Sequence, residues 1–112
     1  MININPREVA ADALNDIREN SAYNNMTLRR YLRQNGAMPR VDKAFVTECV
    51  NGTLRNMIFI DYVINIFSKT KTNKLKPFIL SVMQISVYQM FFMDRVPDPA
   101  VCSEAVKLVK KR

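Results

Sequence analysis

Five basic side chains near the middle of the chain have the types and spacing to bind phosphate groups. Arg29 and Arg33 are four residues apart, so a helix would place both on one face. Arg30 lies between them, and Arg40 and Lys43 follow at the start of the next apolar segment. Because a guanidinium group can hold a phosphate through two parallel hydrogen bonds, we predict that these five residues contact a polyanion.

The charge of the whole chain favours the same kind of ligand. There are 17 Lys and Arg residues against 10 Asp and Glu, a net charge of +7. The first twenty residues are acidic on balance, so the cationic excess lies on the remainder. Further cations follow in the connector 69–76 and at the C-terminus. Two alternatives stay open for those groups: solvated surface charge, and cations that complement the dipole of the last helix.

The residue types needed for most catalytic or metal sites are missing. The sequence has no His, its two Gly residues cannot build a nucleotide-binding loop, and Cys49 and Cys102 lack the spacing of a zinc or redox pair. We expect both thiols to be reduced, buried packing groups in a cytosolic protein. The carboxylates Asp12 and Asp16 are expected on a solvated helix face, and Asp61 as a cap or a partner of Arg55. The chain is therefore predicted to have no catalytic residue and no metal site.

Apolar residues recur at helical spacing in six segments, which predicts a single all-α domain over residues 1–112. The predicted helices span about residues 6–19 and 25–34, then from 39 or 40 to near 55, from 57 to near 68, and 77–92. The last begins at Pro99, with Asp98 as its cap. Asn5 is expected to cap the first helix, with Glu8 completing a capping box. The apolar stripe changes phase at Arg55-Asn56, and whether the third and fourth helices are broken or continuous there stays open. Gly52, inside the third helix, indicates close packing by another helix.

The helix predicted from Pro77 is apolar nearly all round, which is typical of a central helix that the others surround. Its apolar run is too short, and too often interrupted by Ser and Gln, to span a membrane. We expect Phe91, Phe92 and Met93 at its end to pack in the core, against the alternative of an adhesive groove for a partner. An extended elbow is predicted at Val96-Pro97. Other side chains expected to be buried are Met26, Leu28, Tyr31, Leu32, Val41, Ala44, Phe45, Leu54, Val101, Ala105, Val106 and Val109.

Several motifs along the chain resemble those of the NusB-like domain. They include Asn5-Pro-Arg-Glu-Val-Ala, Ala22-Tyr-Asn-Asn, Gly52-Thr-Leu-Arg, the run Tyr88 to Pro97 that ends in Asp-Arg-Val-Pro, and Glu104-Ala-Val. In this order they are similar, more narrowly, to the N-terminal domain of bacterial 16S ribosomal RNA (cytosine-C5)-methyltransferases, the Sun or RsmB family. The resemblance covers nearly the whole chain.

The resemblance implies a NusB-like helical bundle with an RNA-binding role. In the methyltransferases this domain precedes a catalytic domain that uses S-adenosylmethionine and a cysteine nucleophile, and such a domain is not found in these 112 residues. The implied partners are 16S rRNA and that catalytic domain. Arg7 matches the basic position that NusB proteins use near RNA. Two alternatives stay open: a free-standing NusB-type antitermination factor that binds leader RNA and a protein, and a domain that docks only to its own catalytic domain.

Overall fold

The computed structural model describes residues 4–20, 24–93 and 97–111. Within those ranges the chain forms six α-helices and one short 3-10 turn. The helices are α1 (Pro6–Asn20), α2 (Asn24–Gln34), α3 (Arg40–Arg55), α4 (Met57–Phe67), α5 (Pro77–Phe92) and α6 (Asp98–Lys111), and the 3-10 turn is Thr72–Lys74. The predicted all-α class and the number of helices are confirmed.

The helix ends follow local signals in the sequence. The side chain of Asn5 caps α1, because its Oδ1 accepts hydrogen bonds from the backbone N–H groups of Arg7 and Glu8 at 3.0 and 3.4 Å. Pro77 occupies the first turn of α5, where its missing N–H costs nothing. The turn predicted around Asn20–Asn25 and the elbow at Val96-Pro97 fall partly outside the described residues.

A break at Asn56 separates α3 from α4, which settles the question that the sequence left open. The Nδ2 of Asn56 donates to the carbonyl oxygen of Gly52 at 2.9 Å, and its backbone has φ −116° and ψ 22°. The backbone N–H of Asn56 also donates to the carbonyl oxygens of Gly52 and Thr53, so both Asn56 donors cap the end of α3, and α4 begins at the next residue.

Helix α5 is the centre of the bundle, as predicted, since it packs against α1, α3, α4 and α6. Buried residues from α1, α2, α3, α5 and α6, with Met38 between α2 and α3, form the main core. A second cluster joins Ile60 and Ile64 of α4 to Leu80 and Tyr88 of α5. Gly52 of α3 lies against the ring of Tyr88, which confirms the close approach of another helix at this glycine.

Three polar residues within the apolar run of α5 are fully buried: Ser81, Gln84 and Gln89. The guanidinium of Arg18 on α1 donates to Ser81 Oγ at 2.8 Å and to Gln84 Oε1 at 2.9 Å. Gln84 Nε2 in turn donates to Oδ1 of Asp61 on α4 at 2.8 Å, so Asp61 pairs with α5 and not with Arg55. This chain of polar contacts joins α1, α5 and α4 through the interior, where unpaired polar groups would be costly.

Several burial predictions are wrong because the outer helices are covered on one side only. Helix α6 buries Val101 and Leu108, which places Val106 and Val109 toward solvent. The apolar or thiol side chains that prove exposed are Met26, Val41, Ala44, Cys102, Val106 and Val109. Phe91 and Phe92 are also exposed and do not pack in the core. No helix among the described residues has the length and apolar character needed to cross a membrane.

Candidate nucleic-acid interface

The predicted phosphate-binding arginines lie on the outer face of α2. Arg29, Arg30 and Arg33 are all exposed, whereas Leu28 on the opposite side is buried in the main core. Within residues 4–20, 24–93 and 97–111, Arg29 and Arg33 take part in no ion pair or side-chain hydrogen bond. Their guanidinium groups therefore remain available to an anionic ligand.

Arg30 differs from its two neighbours because it is held by Asp16 of α1. Its Nη2 forms a short ion pair with Asp16 Oδ2, and its guanidinium lies 5.4 Å from the centre of the Tyr31 ring. Asp16 also accepts hydrogen bonds from Asn20 Nδ2 at 2.6 Å and from the Tyr31 hydroxyl at 3.1 Å. These bonds, that from Asn20 above all, hold the pKa of Asp16 below its ordinary value of 3.8. Asp16 thus fixes α2 on α1 and orients one arginine of the group.

Arg40 and Lys43 lie in the first turn of α3, next to α2 in the chain and in the fold. Helix α2 packs on both α1 and α3, with residues 35–39 forming the turn between α2 and α3. Arg40 is exposed and Lys43 is half-buried. Arg40 and Lys43 thus open the helix that follows α2, and residues 35–39 between the two helices include no acidic residue. That they form one group with the α2 arginines stays a prediction.

Arg7 is placed differently from the other predicted contacts. Its Nε donates to Oε1 of the buried Gln89 at 3.1 Å, and its guanidinium lies 5.2 Å from the centre of the Phe45 ring. Arg7 therefore joins α1 to α5 and α3, and the structure does not bring it into the α2 group. A contact between Arg7 and RNA stays a prediction, and it would have to use guanidinium donors other than Nε.

The cations at the end of α6 are partly neutralised by acids. Lys111 Nζ lies 2.9 Å from Glu8 Oε1 on α1, and Lys107 Nζ lies 3.2 Å from Glu104 Oε2. The first of these pairs joins α6 to α1. This end of the chain therefore offers less free charge than its composition indicates.

The described residues contain no cluster of ligands that could hold a metal ion. Cys49 is buried in the main core, and burial raises the pKa of its thiol to about 12, so it would remain protonated and unreactive. Cys102 is exposed, with no partner that would activate it among the described residues.

Sequence reasoning missed the roles of Asp16 and Arg18, although both carried a signal. Asp16 lies one helix turn before the end of α1. An acid at this position can pair with a residue of α2 when α2 folds back against α1. From composition alone, Arg18 is one more surface charge. Ser81 and Gln84, however, are polar residues in an otherwise apolar helix, and they indicate that a buried partner must exist.

Three comparisons with known proteins are consistent with one another. A model of the NusB family matches residues 4–112. Over 106 residues the chain is 35% identical to "Probable ribosomal RNA small subunit methyltransferase B" of Bacillus subtilis (strain 168), covering 95% of this chain and 23% of that protein. Over 107 residues it is 31% identical to "Transcription antitermination protein NusB" of Clostridium novyi (strain NT), covering 94% of this chain and 80% of that protein.

Among solved structures, a chain in the crystal structure of a plectonemic RNA supercoil superposes with a TM-score of 0.81. The superposition covers 96% of this chain and 82% of that chain at 16% sequence identity, so it shows a shared fold. This chain spans 23% of the Bacillus subtilis protein and 24% of a "Probable ribosomal RNA small subunit methyltransferase B" of Synechocystis sp., less than a quarter of the length of either relative.

Proposed function

The chain belongs to the NusB family, and from this we propose that it is the non-catalytic, RNA-binding N-terminal part of an S-adenosylmethionine-dependent rRNA (cytosine-C5)-methyltransferase. The observation that carries RNA binding is the pair Arg29 and Arg33. Both are exposed on one face of α2 and have no acidic partner among the described residues, while Asp16 holds Arg30 between them. Evenly solvated surface charge would not require this arrangement.

In this proposal the domain holds 16S rRNA by its phosphates and does not read sequence. Phosphate contacts fix the position and orientation of a bound nucleic acid, and base contacts supply specificity. The contacts proposed are Arg29, Arg30, Arg33, Arg40 and Lys43, with Arg7 at a distance from them. The domain would thereby position a cytosine for a catalytic domain that follows it in the parent protein, in the bacterial cytoplasm.

S-adenosylmethionine is assigned to that separate catalytic domain. The 35% identity to a protein named as a probable rRNA methyltransferase supports the assignment, together with the fact that the match takes up 23% of that protein.

The test is a fluorescence anisotropy titration of the chain against labelled fragments of bacterial 16S rRNA at several KCl concentrations. Changing Arg29, Arg30 and Arg33 to Ala should weaken binding. Each arginine that no longer neutralises a phosphate should also make the slope of log affinity against log KCl concentration shallower by about 0.7–0.9.

A matched control removes three charges elsewhere, at Lys69, Lys74 and Lys76. An Arg29/Arg33 double variant keeps the Arg30–Asp16 ion pair and separates RNA contact from helix docking. Equal losses for the arginine and lysine triples would show that only net charge matters.

A second function is favoured by the 80% coverage of the Clostridium novyi NusB protein. Under this alternative the chain is a free-standing transcription antitermination factor that binds leader RNA and a protein partner. The same titration distinguishes the two functions. Tighter binding of short single-stranded leader RNA than of folded 16S rRNA fragments would favour antitermination, and the reverse order would favour the methyltransferase.

A further inference from the structure

The outer face of the α4–α5 pair is apolar and open to solvent. Ile58 is 90% exposed, Phe67 82% and Phe91 55%. Exposed neighbours on the same two helices are Phe59, Tyr62, Ile66, Met90 and Phe92. Isolated apolar residues on a surface are normal, but this many large exposed apolar side chains on two packed helices indicate an interaction site.

A groove of about 420 Å³ runs between the two helices. Its α4 wall carries Val63, Ile64 and Phe67, spaced over one helical turn, and its α5 wall carries Met83, Val87, Met90 and Phe91. Among the described residues that line it, Ser68 is the only polar one and none is charged. Methionines with flexible thioether side chains can adapt such a surface to an apolar helix.

Cations outnumber acids in the part of the chain that forms this groove, although Glu48 of α3 also lies near this face, where it accepts a hydrogen bond from Tyr88. Between residues 55 and 93 the sequence contains five cations, namely Arg55, Lys69, Lys71, Lys74 and Lys76, and one acid. That acid, Asp61, accepts a hydrogen bond from the buried Gln84. Arg55 precedes α4 and the lysines follow it, so the apolar face has basic groups beyond both ends of α4.

The aromatic rings on this face are arranged unfavourably for stacking on nucleic-acid bases. Phe59 meets Phe91 and Phe92 edge to face, with ring centres 5.6 and 5.9 Å apart. Phe92 is stacked on Tyr88 at 5.3 Å. The described lining of the groove beside them also has no polar side chain except Ser68 to pair with a base edge, which recognition of single-stranded RNA requires.

We propose that the α4–α5 groove docks an amphipathic helix of a partner protein, whose apolar face fills the groove and whose flanking residues are acidic. Apolar burial would supply the affinity, and the carboxylates would meet Arg55 at one end of α4 and the connector lysines at the other. A second copy of this chain fits less well, because two such faces would bring their basic ends together. This docking is separate from the α2 arginines and does not depend on RNA binding.

The probe is a fluorescently labelled synthetic peptide of leucine and glutamate, about 18 residues long, which is enough for a helix in water. Its leucines follow the i, i+3, i+4 pattern. Two controls share its length: a scrambled peptide that breaks the pattern, and one in which lysine replaces glutamate. Anisotropy titrations against the full chain should show saturable binding of the leucine–glutamate peptide only, weakened by salt.

The variants Phe67→Ser and Phe91→Ser remove the exposed anchors with little effect on folding. Each should weaken peptide binding about tenfold or more, as truncation of a central interface aromatic does. Val41→Ser is the matched control, because Val41 is 74% exposed on α3, outside the groove. Affinity for 16S rRNA fragments should stay unchanged in both groove variants, so failure of docking and failure of RNA binding can be told apart.

Four outcomes would overturn the proposal. The first is equal binding of the patterned and scrambled peptides, and the second is tighter binding of the lysine peptide. The third is loss of affinity for single-stranded RNA in Phe67→Ser and Phe91→Ser, which would assign the face to bases. The fourth is a dimer in sedimentation equilibrium that the same substitutions dissociate, which would assign the face to self-association.

Discussion

The ring of Tyr88 on α5 occupies the space into which any side chain at Gly52 of α3 would project. Tyr88 is buried, stacks on Phe92 with ring centres 5.3 Å apart, and donates from its hydroxyl to Glu48 Oε2 at 3.1 Å. The ring is therefore held from two sides and cannot readily move. Glycine is required here for close packing, although it lies inside a helix.

Gly52→Ala should therefore destabilise the fold. The gain in helix propensity is about 1 kcal/mol, but the added methyl group overlaps Tyr88, and overpacking of this kind costs about 1–3 kcal/mol or more. Urea unfolding followed by circular dichroism measures the difference. Gly36→Ala is the matched control, since its Cβ would come no closer than 3.4 Å to a neighbouring atom, the Arg33 carbonyl oxygen. A Gly52→Ala chain as stable as the parent would contradict this packing.

Arg18→Ala should cost much more stability than removing an arginine from α2. Arg18 donates to Ser81 and Gln84 and, at 2.8 Å, to the Pro77 carbonyl oxygen, so its loss leaves two buried oxygens, Ser81 Oγ and Gln84 Oε1, without this donor. Leaving a buried polar group without its hydrogen-bond partner costs about 1–3 kcal/mol for each group. Arg29→Ala, on the open surface, should change the free energy of unfolding by less than about 0.5 kcal/mol. Similar unfolding midpoints for the two variants would exclude the interior role of Arg18.

Asp16 should make the stability of the α1–α2 contact depend on pH in the acid range. Its pKa is lowered in the folded chain relative to the ordinary 3.8, so the unfolded chain binds this proton first as pH falls. The ionised carboxylate therefore stabilises the fold fully above pH 3.8. That contribution is lost as the pH drops through the lower pKa that Asp16 has in the folded chain. The free energy of unfolding of the parent should exceed that of Asp16→Asn at neutral pH, and the gap should close below pH 3.8. A gap that does not change with pH would show that the charge is not involved.

Arg30→Ala should affect both stability and RNA binding, whereas Arg29→Ala and Arg33→Ala should affect RNA binding alone. Arg30 forms the ion pair with Asp16 at a partly exposed position, where such pairs contribute up to about 1 kcal/mol. Thermal unfolding and anisotropy titration of the three single variants separate the two effects. If Arg33→Ala lowered the melting temperature as much as Arg30→Ala, the distinction between held and free arginines would fail.

The two cysteines should react at very different rates. Cys102 is exposed on α6, while Cys49 is buried and the pKa of its thiol is raised to about 12. A thiol reagent such as 5,5′-dithiobis(2-nitrobenzoic acid) should modify one thiol of the native chain quickly and the second only after unfolding in guanidinium chloride. Cys102→Ser should abolish the fast phase. Persistence of the fast phase in that variant would place Cys49 near solvent.

The helix positions could be predicted because their signals are local. Asn5 caps α1 through its own side chain, Pro77 starts α5, and the apolar run that follows is long enough to require a central place. Each of these features depends on a few neighbouring residues in the sequence, and the tertiary structure left them unchanged.

Burial on the outer helices could not be predicted in the same way. The spacing of Val101, Val106 and Val109 is compatible with one helix face, but the face that α6 turns inward is chosen by α5, which accepts Val101 and Leu108. Phe91 and Phe92 are likewise exposed, although Phe59 of α4 contacts both rings and Met93 beside them packs against the core, so large apolar size did not place them in the core.

The sequence by itself determined the helices, their order, the cationic character of α2 and the family resemblance, since all of these are properties of residue types and near neighbours. Only the tertiary structure decided which charges remain free. It paired Arg30 with Asp16, turned Arg7 and Arg18 toward buried amides of α5, and left Arg29 and Arg33 open. The reason is that an ion pair or a buried hydrogen bond requires two groups to meet in space. The amide partners of Arg7 and Arg18, Gln89 and Gln84, lie 82 and 66 residues away along the chain.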